Sequence, residues 1–128
     1  MAATSAHPHP VDPDRVAAAA DQGLSGEDAA RLSSLLSLLA DPIRLRILYS
    51  LELVDELCVG DIALALDASE DAVGYGLRLL RTAGLVRTRK DGRVVFYRLA
   101  ESFPEPLLEH CLRQLLELSR LATGGTDR

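Results

Sequence analysis

The side chains best suited to bind a transition metal form two short-spaced pairs in this 128-residue sequence. His7 and His9 lie two residues apart among prolines, and in an extended segment such residues project to the same side. Cys58 and Asp61 lie three residues apart at the start of a predicted helix, so both side chains can point to one face. Imidazole, thiolate and carboxylate are ligands that zinc and similar ions accept. These four residues are the candidate metal ligands.

The remaining histidine and cysteine, His110 and Cys111, do not form such a pair. Adjacent residues on a helix lie about 100° apart, which prevents chelation of one ion. Cys111 also falls on an apolar stripe of the last predicted helix, so we predict that it is a small core residue. Arsenite sensing, which needs three thiolates in one site, is disfavoured because the chain has only two cysteines.

A second chemistry is indicated by the distribution of basic residues. The formal net charge is −5, yet residues 78–98 contain seven basic residues and one acid, a local charge of +6. A compact basic patch on an acidic protein suits a polyanion that docks on one surface. A solvated charged surface is the alternative, and the elements that carry the charges decide between the two.

Those elements resemble a helix-turn-helix followed by a hairpin. Asp41-Pro42 can cap and start one helix, and a short apolar helix around residues 62–66 follows it. A tight turn ends at Ser69, the predicted N-cap of a longer helix that stops at Gly84. Two strand-like segments, 85–90 and 93–99, flank Asp91-Gly92, a strong hairpin signal. The basic residues lie on the long helix and on this hairpin, where phosphate contacts explain them better than solubility.

The chain is expected to form one domain with flexible ends. Residues 1–23 are predicted to be a flexible arm with a short helical piece at Val16–Ala20, residues 24–121 the folded domain and residues 122–128 a disordered tail. The last helix, residues 106–121, is apolar on more than one face, which predicts a homodimer interface. The fold class is therefore mainly α with a β-hairpin wing (α+β), a winged helix-turn-helix that dimerises through its first and last predicted helices.

Several functional classes are disfavoured by what the sequence lacks. No apolar run is long enough to cross a membrane, and the N-terminus has no secretory signal pattern, so a cytoplasmic protein is expected. Two cysteines in such a protein are thiols, ligands or redox switches rather than a structural disulfide. The motifs H-E-x-x-H, G-x-S-x-G and a glycine-rich phosphate loop are missing, so we predict that the protein is not an enzyme.

Several segments, in order, resemble the ArsR/SmtB family of metal-responsive regulators. Leu39–Leu48 looks like the family's opening "LADPxRLRIL", and Glu56–Asp61 resembles the metal-site signature of its third helix. Ser69–Arg81 aligns with its recognition helix, and Asp91–Leu99 is similar to its wing. The resemblance implies a homodimeric repressor that binds double-stranded operator DNA and releases it when a metal binds.

The resemblance also suggests where the metal binds. One family site combines the third helix with the N-terminal arm, usually that of the other subunit, which here would unite His7, His9, Cys58 and Asp61. Zinc is the favoured ion, and cobalt, nickel, cadmium, lead and copper(I) remain open. The family's other site uses the terminal helices, where this chain has Glu101, Phe103, Gln114 and Glu117. Phe103 cannot ligate a metal and Gln114 is a poor ligand, so we expect that second site to be absent.

The recognition helix departs from the family pattern at two glycines. Family members usually have polar residues where Gly74 and Gly76 stand, whereas neither glycine offers a side-chain hydrogen bond to a base. Each glycine should also cost the helix about 1 kcal/mol relative to alanine. We therefore expect an unusual operator or binding that depends more on phosphate contacts. The predicted DNA-contacting residues of the helix and the wing are Ser69, Tyr75, Arg78, Arg81, Arg87, Arg89, Lys90 and Arg93.

Two other functions fit the same fold. One is a repressor that senses thiol oxidation or persulfides through Cys58 and Cys111, although Cys111 comes early in the last helix for that type. The other is a winged-helix dimer that needs no ligand, or has lost DNA binding and acts through protein partners.

Overall fold

The computed structural model describes residues 7–126, with side chains up to residue 122. The chain divides into two compact units, with the boundary after Ser34. The first six residues of the predicted arm and the last two of the predicted tail lie outside the described residues. No helix within residues 7–126 is long and apolar enough to span a membrane.

The first unit contains a helix where the sequence predicted mostly flexible chain. Helix α1 spans Pro13–Gln22 and has no buried residue. Asp12 caps it by accepting a hydrogen bond from the Arg15 amide at 3.0 Å, and Pro13 fits its first turn because no amide donor is needed there. The predicted helical piece was therefore too short, since this cap allows the alanine-rich segment to begin its helix earlier.

Helix α2, Gly26–Leu39, begins in the first unit and ends in the second. The Ser25 hydroxyl accepts a hydrogen bond from the Asp28 amide at 3.0 Å, which caps the first turn. This helix is the one that the sequence predicted as the first of the folded domain.

The second unit contains the other elements. Its helices are α3 (Pro42–Val54), α4 (Val59–Leu66), α5 (Glu70–Thr82) and α6 (Arg113–Thr126), the last preceded by a π-helical segment, Leu107–Leu112. Its strands are β1 (Leu57–Cys58), β2 (Val86–Asp91) and β3 (Val94–Leu99). The last helix therefore continues through residues 122–126, which the sequence had placed in a disordered tail.

The strands form one antiparallel sheet in the order β1-β3-β2. Strands β2 and β3 are the predicted hairpin, but Asp91 pairs with Val94, so the turn residues are Gly92 and Arg93 rather than Asp91 and Gly92. Gly92 has a positive φ of 65°, which glycine adopts without strain. Strand β1 was not predicted, because two residues carry no periodic signal and its pairing partners lie about forty positions later in β3.

One apolar core joins the helices of the second unit to the sheet. Its fully buried side chains come from α3, α4, α5 and the π-helical segment: Ile47, Leu48, Leu51, Ile62, Val73, Leu77, Leu80 and Leu108. The predicted caps form as expected, since Asp41 accepts from the Arg44 amide and Ser69 from the Ala72 amide, both at 3.0 Å. The core holds α4 and α5 as a helix-turn-helix and leaves the opposite face of α5 open to solvent.

Candidate nucleic-acid interface and sensing segment

Helix α5 presents a polar face to solvent, with the acids Glu70 and Asp71 in its first turn and its arginines farther along. Tyr75, Arg78 and Arg81 are exposed on it, while its apolar stripe is buried. The Arg78 guanidinium lies 5.8 Å from the centroid of the Tyr75 ring, so the two side chains form one cation–π pair. Ser69 is exposed at the start of the helix, where its hydroxyl caps the backbone. This is the face that a recognition helix offers to the major groove.

The two glycines of α5 have different surroundings. A Cβ atom at Gly74 would meet nothing within 4 Å. At Gly76 it would lie 3.2 Å from Ile47 Cδ1 and 3.3 Å from Arg44 Cγ. Gly76 is buried against α3, so the interpretation of both positions as lost base contacts is wrong for Gly76. The residue permits close approach of α5 to α3 and does not face the solvent side of the helix.

This difference predicts opposite effects of two alanine substitutions. Gly74→Ala should raise the free energy of unfolding by about 0.5–1 kcal/mol, because alanine favours the helix and the site has room. Gly76→Ala should gain less or lose stability, since Ile47 or Arg44 must shift to accommodate the methyl group. Urea denaturation measures both, and an equal gain at the two positions would contradict the packing described for Gly76.

The wing, β2 and β3, carries the other predicted contacts. Arg87, Lys90 and Arg93 are all exposed on it, and within residues 7–126 no ion pair to any of the three is found at 4.0 Å or less. Successive residues of a strand point to opposite faces, so Arg87 and Lys90 lie on opposite sides of the hairpin. The wing therefore spreads positive charge around its edge, as phosphate contacts on both sides of a groove would require.

Arg89 differs from its neighbours because an acid already holds it. Its Nη2 and Nε donate to the two carboxylate oxygens of Glu56 at 2.8 and 2.9 Å. The guanidinium also lies 4.7 Å from the centroid of the Phe96 ring. The Arg89 hydrogen bonds lower the pKa of Glu56 below its ordinary value, and Glu56 raises the pKa of Arg89. Both groups are therefore charged at neutral pH and form a bidentate ion pair.

Cys58 and Asp61 lie at the start of α4, but not with the helical geometry that the sequence predicted. Cys58 belongs to β1 and is the extended N-cap residue of α4, while Asp61 is in the first helical turn. The Cys58 side chain makes no capping hydrogen bond to the helix. The thiol is half-buried and the carboxylate exposed, so the pair still presents sulfur and oxygen from one helix end.

His7 and His9 lie in the first unit and are close to each other. Their ring centroids are 5.1 Å apart. Among the described residues, no group of three or more histidine, cysteine or acidic side chains could hold a metal ion. In a site shared between subunits, the two histidines would come from one chain and Cys58 and Asp61 from its partner. The four-residue metal site therefore stays a prediction.

The last helix corrects one prediction about cysteine. Cys111 is exposed, not buried in the core, because the core side of its segment is occupied by Leu108, which is fully buried. Of the four residues aligned with the family's terminal site, Phe103 is buried in the core, and Glu117 pairs with Arg120 at 3.0 Å.

Comparison with known proteins places these features in one family. Residues 41–88 match the model described as "Bacterial regulatory protein, arsR family". The transcriptional regulator NmtR of Mycobacterium tuberculosis is 37% identical over 105 residues, which are 82% of this chain and 84% of that protein. A repressor described as an SmtB homolog, from Synechocystis, is 44% identical over 79 residues, 62% of this chain. The matched segment is 59% of that repressor's length, so this chain spans about three fifths of it.

Solved structures show the same fold. The AntR antimony-specific transcriptional repressor aligns with a TM-score of 0.64 and 27% identity, over 95% of this chain and 99% of that one. A homodimeric winged helix-turn-helix DNA-binding domain from Mycobacterium bovis aligns with a TM-score of 0.56 and 30% identity, over 77% of this chain and 92% of that one. The helix-turn-helix and the wing are therefore an established architecture for binding DNA.

Proposed function

Because the chain belongs to the arsR family of bacterial regulatory proteins, we propose that it is a homodimeric, metal-responsive transcriptional repressor. It binds double-stranded operator DNA through α5 and the wing, and a transition metal ion, with zinc favoured, releases it. The observation that carries the proposal is the concentration of positive charge on these two elements of an acidic protein: residues 78–98 hold seven of its fourteen basic residues and one acid. Phosphate contacts supply most of the affinity of such a surface, and side chains on α5 read base edges.

Dimerisation is supported by apolar side chains that the single chain leaves uncovered. Leu115, Leu118 and Leu121 of α6 are all more than half exposed, and Leu35 and Leu36 of α2 are also exposed. Leu36, Leu115 and Leu116 line an apolar groove of about 780 Å³ together with residues of α3. A contiguous apolar surface of this kind marks a protein interface, and a two-fold dimer would place two α5 helices on successive half-sites of DNA.

The proposed metal site combines the arm with the start of α4. Neutral imidazoles from His7 and His9, the Cys58 thiolate and the Asp61 carboxylate form a four-coordinate N, S and O donor set that suits zinc. The two imidazole rings lie 5.1 Å apart, and Cys58 and Asp61 are the N-cap and a first-turn residue of one helix. Both halves therefore bring suitable donors close together. The AntR repressor is described as antimony-specific, and a CadC homolog from Staphylococcus aureus as a cadmium resistance regulatory protein.

Release of DNA by metal requires a coupling free energy between the metal site and the DNA-binding surface. The metal must bind more tightly to the conformation that has low DNA affinity, and by reciprocity DNA must weaken metal binding. Typical couplings change affinity by about 5–150-fold.

The first test is fluorescence anisotropy of the reduced, chelator-treated protein on DNA from upstream of its own gene. Apo protein should bind at about 10⁻⁸ M or tighter at moderate salt, as specific regulators do. Added zinc should weaken binding at least about fivefold. Binding that zinc leaves unchanged would contradict the metal site but not the DNA interface, and failure to bind at low salt would contradict both.

Thiol sensing is the second candidate function. The exposure of Cys111 favours it, because an exposed thiol is available to oxidants or persulfides whereas the predicted core position would not be. Cys58 is half-buried and provides the other thiol of the pair. The two candidates differ in whether Cys111 is needed for release of DNA, so the variant Cys111→Ser separates them.

A further inference from the structure

One face of the sheet connects the sensing cysteine with the wing. Cys58 is paired with Phe96 across β1 and β3, and Phe96 is paired with Arg89 across β3 and β2. Residues directly opposite in an antiparallel ladder share a face, so these three side chains form a row, which we call the outer row. The neighbouring set, Leu57 and Tyr97, packs against the core, so the outer row lies on the face directed away from the core.

Glu56 binds Arg89, the last residue of the outer row. Its carboxylate accepts two charge-assisted hydrogen bonds from the guanidinium, at 2.8 and 2.9 Å. The flat side of the guanidinium is also covered, because it stacks over the Phe96 ring. The guanidinium edge formed by Nε and Nη2 is thus engaged by a carboxylate with the fork geometry of a phosphate, and the carboxylate charge offsets that of Arg89. Of the wing cations Arg87, Arg89, Lys90 and Arg93, Arg89 is the one held in this way within residues 7–126.

We infer that Glu56 is an intramolecular competitor of DNA phosphate for Arg89. The Glu56–Arg89 pair holds one wing cation away from DNA and lowers the affinity of the protein for any duplex. The pair lies on the same sheet face as Cys58, which is two residues from Glu56. The proposed metal ligand Cys58 and the wing residue Arg89 are therefore both paired with Phe96. Glu56 is therefore a positioning residue that acts through Arg89. This inference rests on the proposed DNA-binding function and deepens it.

The test compares two isosteric substitutions that each remove one negative charge beside Arg89. Glu56→Gln removes the bidentate partner, whereas Asp91→Asn removes the weaker contact at 3.8 Å. Asp91 is the last residue of β2 and pairs with Val94, so the substitution leaves the turn residues Gly92 and Arg93 unchanged. Binding to a mixed-sequence 30-base-pair duplex is measured between about 0.05 and 0.3 M salt, since phosphate contacts do not need an operator. Circular dichroism and thermal unfolding check that each variant is folded.

Release of Arg89 should add one phosphate contact. Glu56→Gln should therefore steepen the slope of log K against log salt by about 0.9. If the variant and the wild type bind equally at 1 M salt, that slope makes the variant bind about eightfold more tightly than the wild type at 0.1 M salt. Asp91→Asn should change affinity by no more than about twofold and leave the slope unchanged, because a general loss of negative charge adds no contact. In an Arg89→Gln background, Glu56→Gln should have no more effect than Asp91→Asn has.

The outcomes separate this inference from the proposed function. Wild-type protein that binds no duplex at 0.05 M salt would remove the proposed function itself. Wild-type protein that binds, with Glu56→Gln and Asp91→Asn indistinguishable in affinity and slope, would overturn the competition. A Glu56→Gln effect that persists in the Arg89→Gln background would also overturn it, because the effect would then not pass through Arg89.

Discussion

Replacement of Leu115 by lysine should convert the dimer to monomers and weaken operator binding by about a hundredfold or more. Leu115 is 59% exposed on α6 and lines the apolar groove, where a charged ammonium group facing a partner helix would lie without a counterion. A dimer holds two recognition helices on one DNA, so its affinity exceeds that of one protomer by about 10²–10⁴ through effective concentration. Light scattering and anisotropy on operator DNA measure the two effects.

The control for this variant is Glu117→Gln, which raises the net charge by the same unit. At about 100° per residue, Glu117 lies about 160° from Leu115 around α6, on the face where it pairs with Arg120. The control should remain dimeric and bind DNA at least as well as wild type. A dimeric Leu115→Lys protein with unchanged affinity would show that α6 does not form the interface.

Replacement of Cys58 by serine should abolish release of DNA by zinc and leave binding by the apo protein intact. The thiolate is the softest donor of the proposed set, and a serine hydroxyl is not a ligand that zinc uses in such sites. Cys58 lies outside α5 and the β2–β3 wing, so the DNA-binding surface should be unchanged. The ratio of dissociation constants with and without zinc should fall from at least about fivefold to one.

Cys111→Ser is the matched control, because it removes the same atom from the exposed cysteine of the last helix. It should keep the full zinc response. If polysulfide releases DNA from the wild type and Cys111→Ser abolishes that release, the thiol-sensing candidate replaces the metal site. Deletion of residues 1–10 should weaken zinc binding as Cys58→Ser does, and unchanged zinc affinity in both variants would contradict the proposed ligand set.

The helix-turn-helix and the wing were predictable because their signals are local. Asp41-Pro42 and Ser69 cap helices through hydrogen bonds that span three residues, and both caps form as predicted. The hairpin forms as predicted, although its turn lies one residue later than expected, and Gly92 supplies the positive φ there. A resemblance spread over these same segments led to the family that the comparisons support.

The helix boundaries at the two ends were less predictable. Residues 13–22 form a helix in a segment expected to be mostly flexible, and α6 extends past the expected end of the last helix. Helix α1 has no buried residue, so no core contact marks its limits, and the signals for its start were the local ones at Asp12 and Pro13.

The sequence by itself determined the helix-turn-helix, the hairpin, the cluster of basic residues and the family, because caps, turns and apolar periodicity act between residues a few positions apart. Tertiary structure alone decided which residues meet across the fold. It placed Gly76 against α3, paired Cys58 with Phe96, engaged Arg89 with Glu56 thirty-three positions away and left Cys111 exposed. Such contacts depend on how strands and helices pack in three dimensions, and no short-range spacing in the chain encodes them.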